Sequence, residues 1–303
     1  MAFFLGIDAG GTKTTCVVGD ETSVRGVGSS SGSNIVRLGE ARAGEALRQA
    51  ISRACTAAGI ESGQIAVACI GAAGAGRPEI RERLRRILAE LLSADLRIAG
   101  DMEIALEAAF PSSRGVVVIA GTGSIAYGRN AQDQTARAGG WGFAVSDEGS
   151  GHWIGRAAVA AALRAEDQGQ HAALLDAVGK LWGKSSQEEI VLAANATPPP
   201  DFATLFPVVL SVADHGDVAA RGVLSRAGAE LSSLAKIVIQ RLFPEGSLVP
   251  LAMSGGVFAS SSLVREVFYN SLRSQCPSAT LNDGIVEPVQ GALAMARRGQ
   301  GKP

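Results

Sequence analysis

The chain has 303 residues, of which 47% are hydrophobic, and its formal net charge is −1. This length suggests about two domains, and the near-neutral charge without a basic stripe argues against nucleic-acid binding. No apolar run reaches the roughly 18 residues of a membrane-spanning helix, and the first residues lack the basic segment of a signal peptide. The four cysteines show no C-x-x-C spacing. We therefore expect a cytoplasmic protein with reduced thiols and no membrane partner.

Strands and helices are predicted along the whole chain from apolar runs, helical periodicity, capping glycines and helix-opening prolines. Apart from these segments, the second half is predicted to be mostly helical. The mixture indicates an α/β fold. In chain order, we predict strands at 3–7, 14–18 and 24–27, a helix at 41–58, a strand at 65–70, a helix at 78–92, a strand at 96–99, a helix at 104–110, strands at 116–120 and 125–128, a helix at 218–242, a strand at 248–253 and a helix at 289–297.

A lobe boundary is predicted at residues 111–114, which divides the chain into an N-terminal lobe (1–113) and a C-terminal lobe (114–303). After this boundary the order of apolar strand, glycine turn and returning strand occurs again. The repetition indicates two related halves.

Three glycine-rich turns follow apolar strands and have the composition of phosphate-binding loops. Glycine lets backbone N–H groups come close to phosphate oxygens, and threonine hydroxyls add donors. The sequence contains neither a Walker A loop nor a dinucleotide fingerprint, and ordinary hairpin turns are the alternative interpretation. The residues expected to contact the nucleotide are Asp8, Gly10, Gly11, Thr12, Lys13, Gly121, Thr122, Gly255 and Gly256.

Asp8 lies at the end of a predicted buried strand. A carboxylate in that position is costly unless it is hydrogen-bonded, paired or bound to a metal. Since Mg²⁺ is often held by one or two carboxylates together with substrate phosphates, Asp8 is the candidate Mg²⁺ residue, acting through water. A carboxylate bonded to turn amides is the alternative. Lys13 either reaches a phosphate or faces solvent.

These motifs resemble the N-acetylglucosamine kinase and BadF-type ATPase branch of the actin, sugar kinase and heat-shock-chaperone ATPase superfamily. The resemblance spans nearly the whole chain, and its most specific part is the block Gly-Gly-Trp-Gly followed by Asp-Glu-Gly-Ser. The matching segments are 6–14, 119–124, 139–142, 147–151, 253–257 and 287–292.

The resemblance implies two actin-like, ribonuclease-H-like lobes, each a mixed β-sheet flanked by helices, with an active-site cleft between them. It implies ATP and Mg²⁺ as cofactors and Asp101 as the catalytic base. Asp101 and Asp147 have helix capping as the alternative role, and Asn34 has a turn role as its alternative. Trp141 is expected to be a buried core residue. The residues that the resemblance places on a sugar are Asn34, Gly123, Ser124 and Asp147.

The implied activity is transfer of the γ-phosphoryl group of ATP to an amino sugar, with the 6-hydroxyl of N-acetylglucosamine as the first choice. Glucosamine, for which Glu148 is a candidate contact, and N-acetylmuramic acid, for which Arg37 is one, are the alternatives. A non-catalytic sugar-binding module is a further alternative. Another is an ATPase that activates a partner reductase or dehydratase through an iron–sulfur cluster, although the second lobe offers only Cys276 as a thiolate. A homodimer is left open.

Overall fold

The computed structural model describes residues 2–170 and 173–301. Its first part alternates strands and helices: β1 Phe3–Ala9, β2 Lys13–Gly19, β3 Val24–Ser31, α1 Ile35–Leu38, α2 Glu40–Ala58, β4 Ile65–Ala72, α3 Pro78–Leu91, β5 Asp95–Gly100 and α4 Asp101–Ala109. The remainder contains β6 Gly115–Ala120, β7 Ser124–Arg129, β8 Thr135–Gly139, α5 Gly151–Asp167, α6 Ala173–Trp182, α7 Gln187–Ala194, α8 Phe206–Asp214, α9 Val218–Leu242, β9 Val249–Ser254, α10 Gly256–Ser260, α11 Ser262–Gln275, β10 Ala279–Val286 and α12 Pro288–Arg297.

Two five-stranded sheets organise these elements, in the orders β3-β2-β1-β4-β5 and β10-β9-β6-β7-β8. In the first sheet, β1 is antiparallel to β2 and parallel to β4, and β4 is parallel to β5. The first sheet is therefore mixed: strands β1, β2 and β3 pair antiparallel, and strands β1, β4 and β5 pair parallel. The parallel strands end at the same edge of the sheet, which is where polar residues of α/β proteins are commonly presented.

Both faces of the first sheet are covered by helices. Side chains of α2 and α3 form one buried cluster with β1 and β4, and side chains of α4 and α12 form a second cluster on the opposite face. A Cβ at Gly6 would lie 2.5 Å from the backbone nitrogen of Leu293 in α12. Because side chains alternate along a strand, Asp8 points to the same face of the sheet, which is the face that carries α4.

The chain divides into two compact units. The first contains Met1–Val117, Tyr127–Thr135 and Val286–Pro303, and the second contains Val118–Ala126 and Ala136–Ile285. The first unit thus includes the closing helix α12, whose residues pack against β1 and α4. The division of the functional lobes at residue 113 stays a prediction.

The predicted helix at 218–242 is confirmed as α9, with Asp217 as its N-cap, and Gly59 ends α2 in the left-handed conformation expected of a C-cap. Strands β8 and β10 were absent from the predicted elements, and none of the residues of β10 is buried. Among the described residues, no single helix is long and apolar enough to cross a membrane; Phe202–Asp214 and Val218–Leu242 meet the criteria only as a pair bent by 118°.

Candidate active site

The sheet register of the first unit relates its two candidate acids. Asp8 of β1 pairs with Gly71 of β4, and Gly71 pairs with Ala99 of β5. Asp101, two residues beyond Ala99, is the first residue of α4. Asp8 thus lies near the end of β1, and Asp101 comes directly after β5. These two parallel strands, with β4 between them, present both residues at the same edge of the sheet.

The first glycine turn joins β1 to β2 and is closed by backbone bonds. Gly10 N–H donates to the carbonyl of Lys13 over 3.1 Å, and Ser33 N–H donates to the carbonyl of Gly10 over 3.1 Å. A Cβ at Gly32 would lie 2.2 Å from the carbonyl oxygen of Gly11, so only glycine fits there. The turn therefore packs directly on the loop that leads to Asn34. Thr12 and Lys13 are exposed.

Asn34 is the N-cap of the short helix α1. Its Oδ1 accepts from the backbone N–H groups of Val36, over 3.0 Å, and Arg37, over 3.3 Å. The turn role that we considered as the alternative therefore takes the form of a helix cap. The side chain is half-buried. Capping occupies the carbonyl end of the amide and fixes its orientation.

Asp101 is half-buried at the start of α4, and its Oδ1 accepts from the N–H of Met102 over 2.9 Å. The N-cap of this helix is Gly100. The alternative that Asp101 caps the helix is therefore wrong, because Asp101 already has helical backbone. Its carboxylate is instead held at one oxygen by the adjacent backbone amide.

Charge and burial act together on these two acids. Burial raises the pKa of Asp8 to about 7; the Asp101 carboxylate also raises it, and the Lys13 ammonium lowers it. Burial likewise raises the pKa of Asp101, against the lowering effect of the Met102 N–H bond. Two acids in one desolvated region resist ionisation together, which is common where a protein binds a cation or moves a proton.

A divalent metal fits this donor set. The described residues contain no group of three or more His, Cys, Asp or Glu side chains placed to hold a metal ion, so the site has no all-protein metal cage. Mg²⁺ usually retains several waters and takes one or two carboxylates together with substrate phosphates. A cation beside Asp8 would favour the ionised carboxylate, which burial alone disfavours.

The second glycine turn joins β6 to β7 within the second unit. Gly121 N–H donates to the carbonyl of Gly123 over 2.9 Å, and Gly151 N–H donates to the carbonyl of Gly121 over 2.8 Å. His152 N–H donates to the carbonyl of Thr122 over 3.3 Å. The first turn of α5 is therefore bonded directly to the glycine turn.

Asp147 is buried and lies against this turn. Its Oδ1 accepts from the N–H of Ser124 over 3.3 Å, and a Cβ at Gly123 would lie 3.1 Å from its Oδ2. Ser124 Oγ donates to the carbonyl of Glu148 over 2.7 Å. Helix α5 is capped by Ser150, whose Oγ accepts from Trp153 N–H. The capping alternative for Asp147 is therefore wrong. The structure brings Gly123, Ser124 and Asp147 together, and their contact with a sugar stays a prediction.

The third glycine segment lies between β9 and α10. Gly255 has a φ of +98°, and a Cβ there would lie 2.4 Å from the carbonyl oxygen of Ala120, at the end of β6. A Cβ at Gly256 would meet nothing within 4 Å. Of the two adjacent positions, only 255 requires glycine. A side chain there would prevent the close contact between this segment and the end of β6.

Trp141 is 68% exposed, so the prediction of a buried core tryptophan is wrong. Its ring packs under the guanidinium of Arg137, 3.9 Å from the ring centroid. Phe143 and Val145 of the same loop are also exposed. Gly32 was not among the predicted site residues. The signal for it was weak, because it is one small residue in a small-residue segment and its partner Gly11 is distant in the chain.

Comparison with known proteins places these features in a family. The model of the BadF/BadG/BcrA/BcrD ATPase family matches residues 5–296. An N-acetylmuramic acid/N-acetylglucosamine kinase of Clostridium acetobutylicum is 30% identical over 302 residues, which cover 98% of this chain and 99% of that protein. An N-acetyl-D-glucosamine kinase of Dictyostelium discoideum is 28% identical and covers 97% of both chains. The crystal structure of a Chromobacterium violaceum protein assigned as an N-acetylglucosamine kinase superposes with a TM-score of 0.79 at 25% identity, over 98% of this chain and 99% of that one.

The chain is an α/β protein with two mixed sheets flanked by helices and with two glycine turns between strands. These features define the actin-like, sugar kinase class that the resemblance implied. The chain belongs to the BadF/BadG/BcrA/BcrD ATPase family. The family resemblance drawn from the motifs is thereby confirmed.

Proposed function

We propose that the protein is an ATP-dependent kinase that phosphorylates an amino sugar, with N-acetylglucosamine as the preferred substrate and its 6-hydroxyl as the acceptor. The observation that carries the proposal is Asp101, a half-buried carboxylate held at Oδ1 by Met102 N–H, at the same sheet edge as Asp8. The two relatives, which are kinases of N-acetylglucosamine or of both N-acetyl amino sugars and align over almost the whole chain, support the substrate class.

The roles follow from what phosphoryl transfer requires, namely alignment and charge neutralisation. Asp101 accepts the proton of the sugar hydroxyl and orients its oxygen for in-line attack on the γ-phosphorus. The bond from that phosphorus to its bridging oxygen breaks, and ADP leaves. Because Oδ1 accepts from Met102 N–H, the other carboxylate oxygen is assigned to the hydroxyl.

The nucleotide phosphates are assigned to the glycine turns at 10–13 and 121–122 and to Gly255 and Gly256 in the adenosine-binding segment. Asp8 is assigned to the metal, through water. Bound Mg²⁺ would neutralise charge on the phosphates. Sugar contacts are assigned to Asn34, Gly123, Ser124 and Asp147, whose local structure is fixed by the caps and hydrogen bonds described above.

A direct test is to identify the product. Incubation with ATP, Mg²⁺ and N-acetylglucosamine should give a sugar 6-phosphate, recognised by its phosphorus–proton coupling in NMR and by mass. A phosphate on another hydroxyl would overturn the assignment of the 6-hydroxyl. ATP hydrolysis that is independent of sugar would favour the partner-activating ATPase. That alternative has less support from this chain, because all four cysteines are buried and none presents a thiol for a shared cluster.

A further inference from the structure

The side chain of Glu103 folds back over the start of α4. Its Oε2 accepts from the N–H of Gly100 over 2.7 Å, although the residue itself is exposed. Gly100 is the N-cap of the helix and has no side chain, so it cannot cap the first N–H groups in return. The helix start is therefore closed by one half of a capping box, which Glu103 supplies.

The body of α4 is fixed independently of Glu103. A Cβ at Gly71 would lie 2.1 Å from Cδ1 of Ile104, and a Cβ at Gly291 would lie 1.9 Å from the carbonyl oxygen of Ile104. Strand β4 and helix α12 thus both touch the helix at Ile104, at van der Waals distance. Loss of the Glu103 bond would leave this packing in place and would loosen the first turn alone.

Asp101 lies in that turn, between the two residues that the Glu103 bond joins. Its carboxylate is itself bonded to the next backbone amide, at Met102. The Gly100 N–H that Glu103 binds belongs to the peptide between Ala99 and Gly100, directly before Asp101. Loss of this bond would free Gly100 to rotate, and that rotation would move both the Asp101 backbone and the hydrogen bond that orients its carboxylate. Small displacements of a base from its acceptor cost rate steeply in a positioned reaction.

We propose that Glu103 is a positioning residue for the base Asp101, acting through the Gly100 N–H bond; the inference rests on the proposed kinase function. Glu103 touches neither substrate nor nucleotide in this account. The motif Gly-Asp-x-Glu at 100–103 is the sequence signal, because glutamate stands three residues after the N-cap.

The test compares Glu103→Ala with Glu103→Gln, since glutamine keeps an acceptor at the same reach. Glu90→Ala, at an exposed glutamate of α3, is the control. In sugar-dependent ADP release, we expect Glu103→Ala to lower kcat by about 5- to 30-fold, with KM for ATP and sugar within about twofold. Glu103→Gln and Glu90→Ala should stay within about threefold of wild type. Should Glu103→Ala not fold, Glu103→Asp replaces it, because its side chain is one methylene shorter.

Hydrogen exchange at the Gly100 amide separates this inference from the proposed function. The amide should exchange faster in Glu103→Ala than in wild type and in Glu103→Gln, whether or not the protein phosphorylates a sugar. Unchanged exchange in Glu103→Ala would overturn the inference. So would a wild-type kcat in Glu103→Ala, or an equal loss in Glu103→Gln. A wild-type protein without sugar-dependent ADP release would overturn the proposed function instead.

Discussion

Asp147 accepts a hydrogen bond at Oδ1 from the backbone N–H of Ser124, across 3.3 Å and 23 residues of chain. This bond fastens the loop before α5 to the second glycine turn. Asp147 has a φ of +69°, a conformation that asparagine tolerates better than most residues. Substitution of Asp147 by asparagine can therefore separate two effects: the loss of the carboxylate charge and the loss of the hydrogen bond that holds the turn.

Asp147→Asn should retain the acceptor and the backbone conformation, so its melting temperature should stay close to wild type. Its KM for sugar should rise by about tenfold or more if the carboxylate receives a sugar hydroxyl, because hydrogen bonds to charged groups are the stronger ones. Asp147→Ala should lose stability as well, since it removes the bond to Ser124 and is strained at positive φ. An unchanged KM in Asp147→Asn would remove Asp147 from the sugar site.

The raised pKa of Asp8 predicts a pH dependence of stability. The native pKa is about 7 against an ordinary value of 3.8. Between these values the native state holds a proton that the unfolded chain has lost, so the free energy of unfolding falls as pH rises from about 4 to about 7 and then levels off. Asp8→Asn should remove this fall. Denaturant titrations of both proteins at pH 5 and pH 8 check it; parallel changes in the two would contradict the assignment.

The adjacent glycines at the start of α10 provide a matched pair of substitutions. Gly255→Ala should destabilise the protein by about 1–3 kcal/mol, because the new Cβ would meet the Ala120 carbonyl at a positive φ. It should also weaken ATP binding, if this segment contacts the nucleotide. Gly256→Ala should fold normally, since a Cβ there meets nothing within 4 Å. Equal stability of the two variants, measured by urea denaturation, would show that the contact with β6 is unimportant.

Asp101→Asn should keep the fold and nucleotide binding while lowering kcat by about 10²–10⁴-fold, the usual worth of a positioned general base. Asparagine still accepts from Met102 N–H, so the geometry of the helix start is preserved. Calorimetric titration with a non-hydrolysable ATP analogue checks binding, and coupled ADP release checks turnover. Near-normal turnover would exclude Asp101 as the base.

Much of the fold was predictable because its signals are local. The periodicity of α9 and the N-cap position of Asp217 define a helix without reference to other parts of the chain. Strand β10 has no such signal, since its residues 279–286 are largely polar or exposed and it pairs at the edge of its sheet. Such strands are identified only by the partner that they join.

In the candidate site, too, only the features with local signals were predictable. The glycine turns and the position of Asp101 after β5 can be read from short segments. The bond between Asp147 and Ser124 and the contact between Gly32 and Gly11 join distant parts of the chain, so no local pattern reveals them. The burial predicted for Trp141 was wrong for a related reason: an aromatic residue in a glycine-rich loop has no periodicity to indicate which side it faces.

The most direct test of the proposed function is a comparison of kcat/KM for N-acetylglucosamine, N-acetylmuramic acid, glucosamine and glucose, measured as sugar-dependent ADP release with Mg²⁺ under one set of conditions. We expect N-acetylglucosamine to be the best of the four. We also expect weaker activity on glucosamine, which keeps the 6-hydroxyl but lacks the acetyl group and is largely cationic. Removal of the metal with a chelator should abolish the signal. A value for glucose that exceeds the amino sugars by tenfold, or ADP release that no sugar stimulates, would contradict the account.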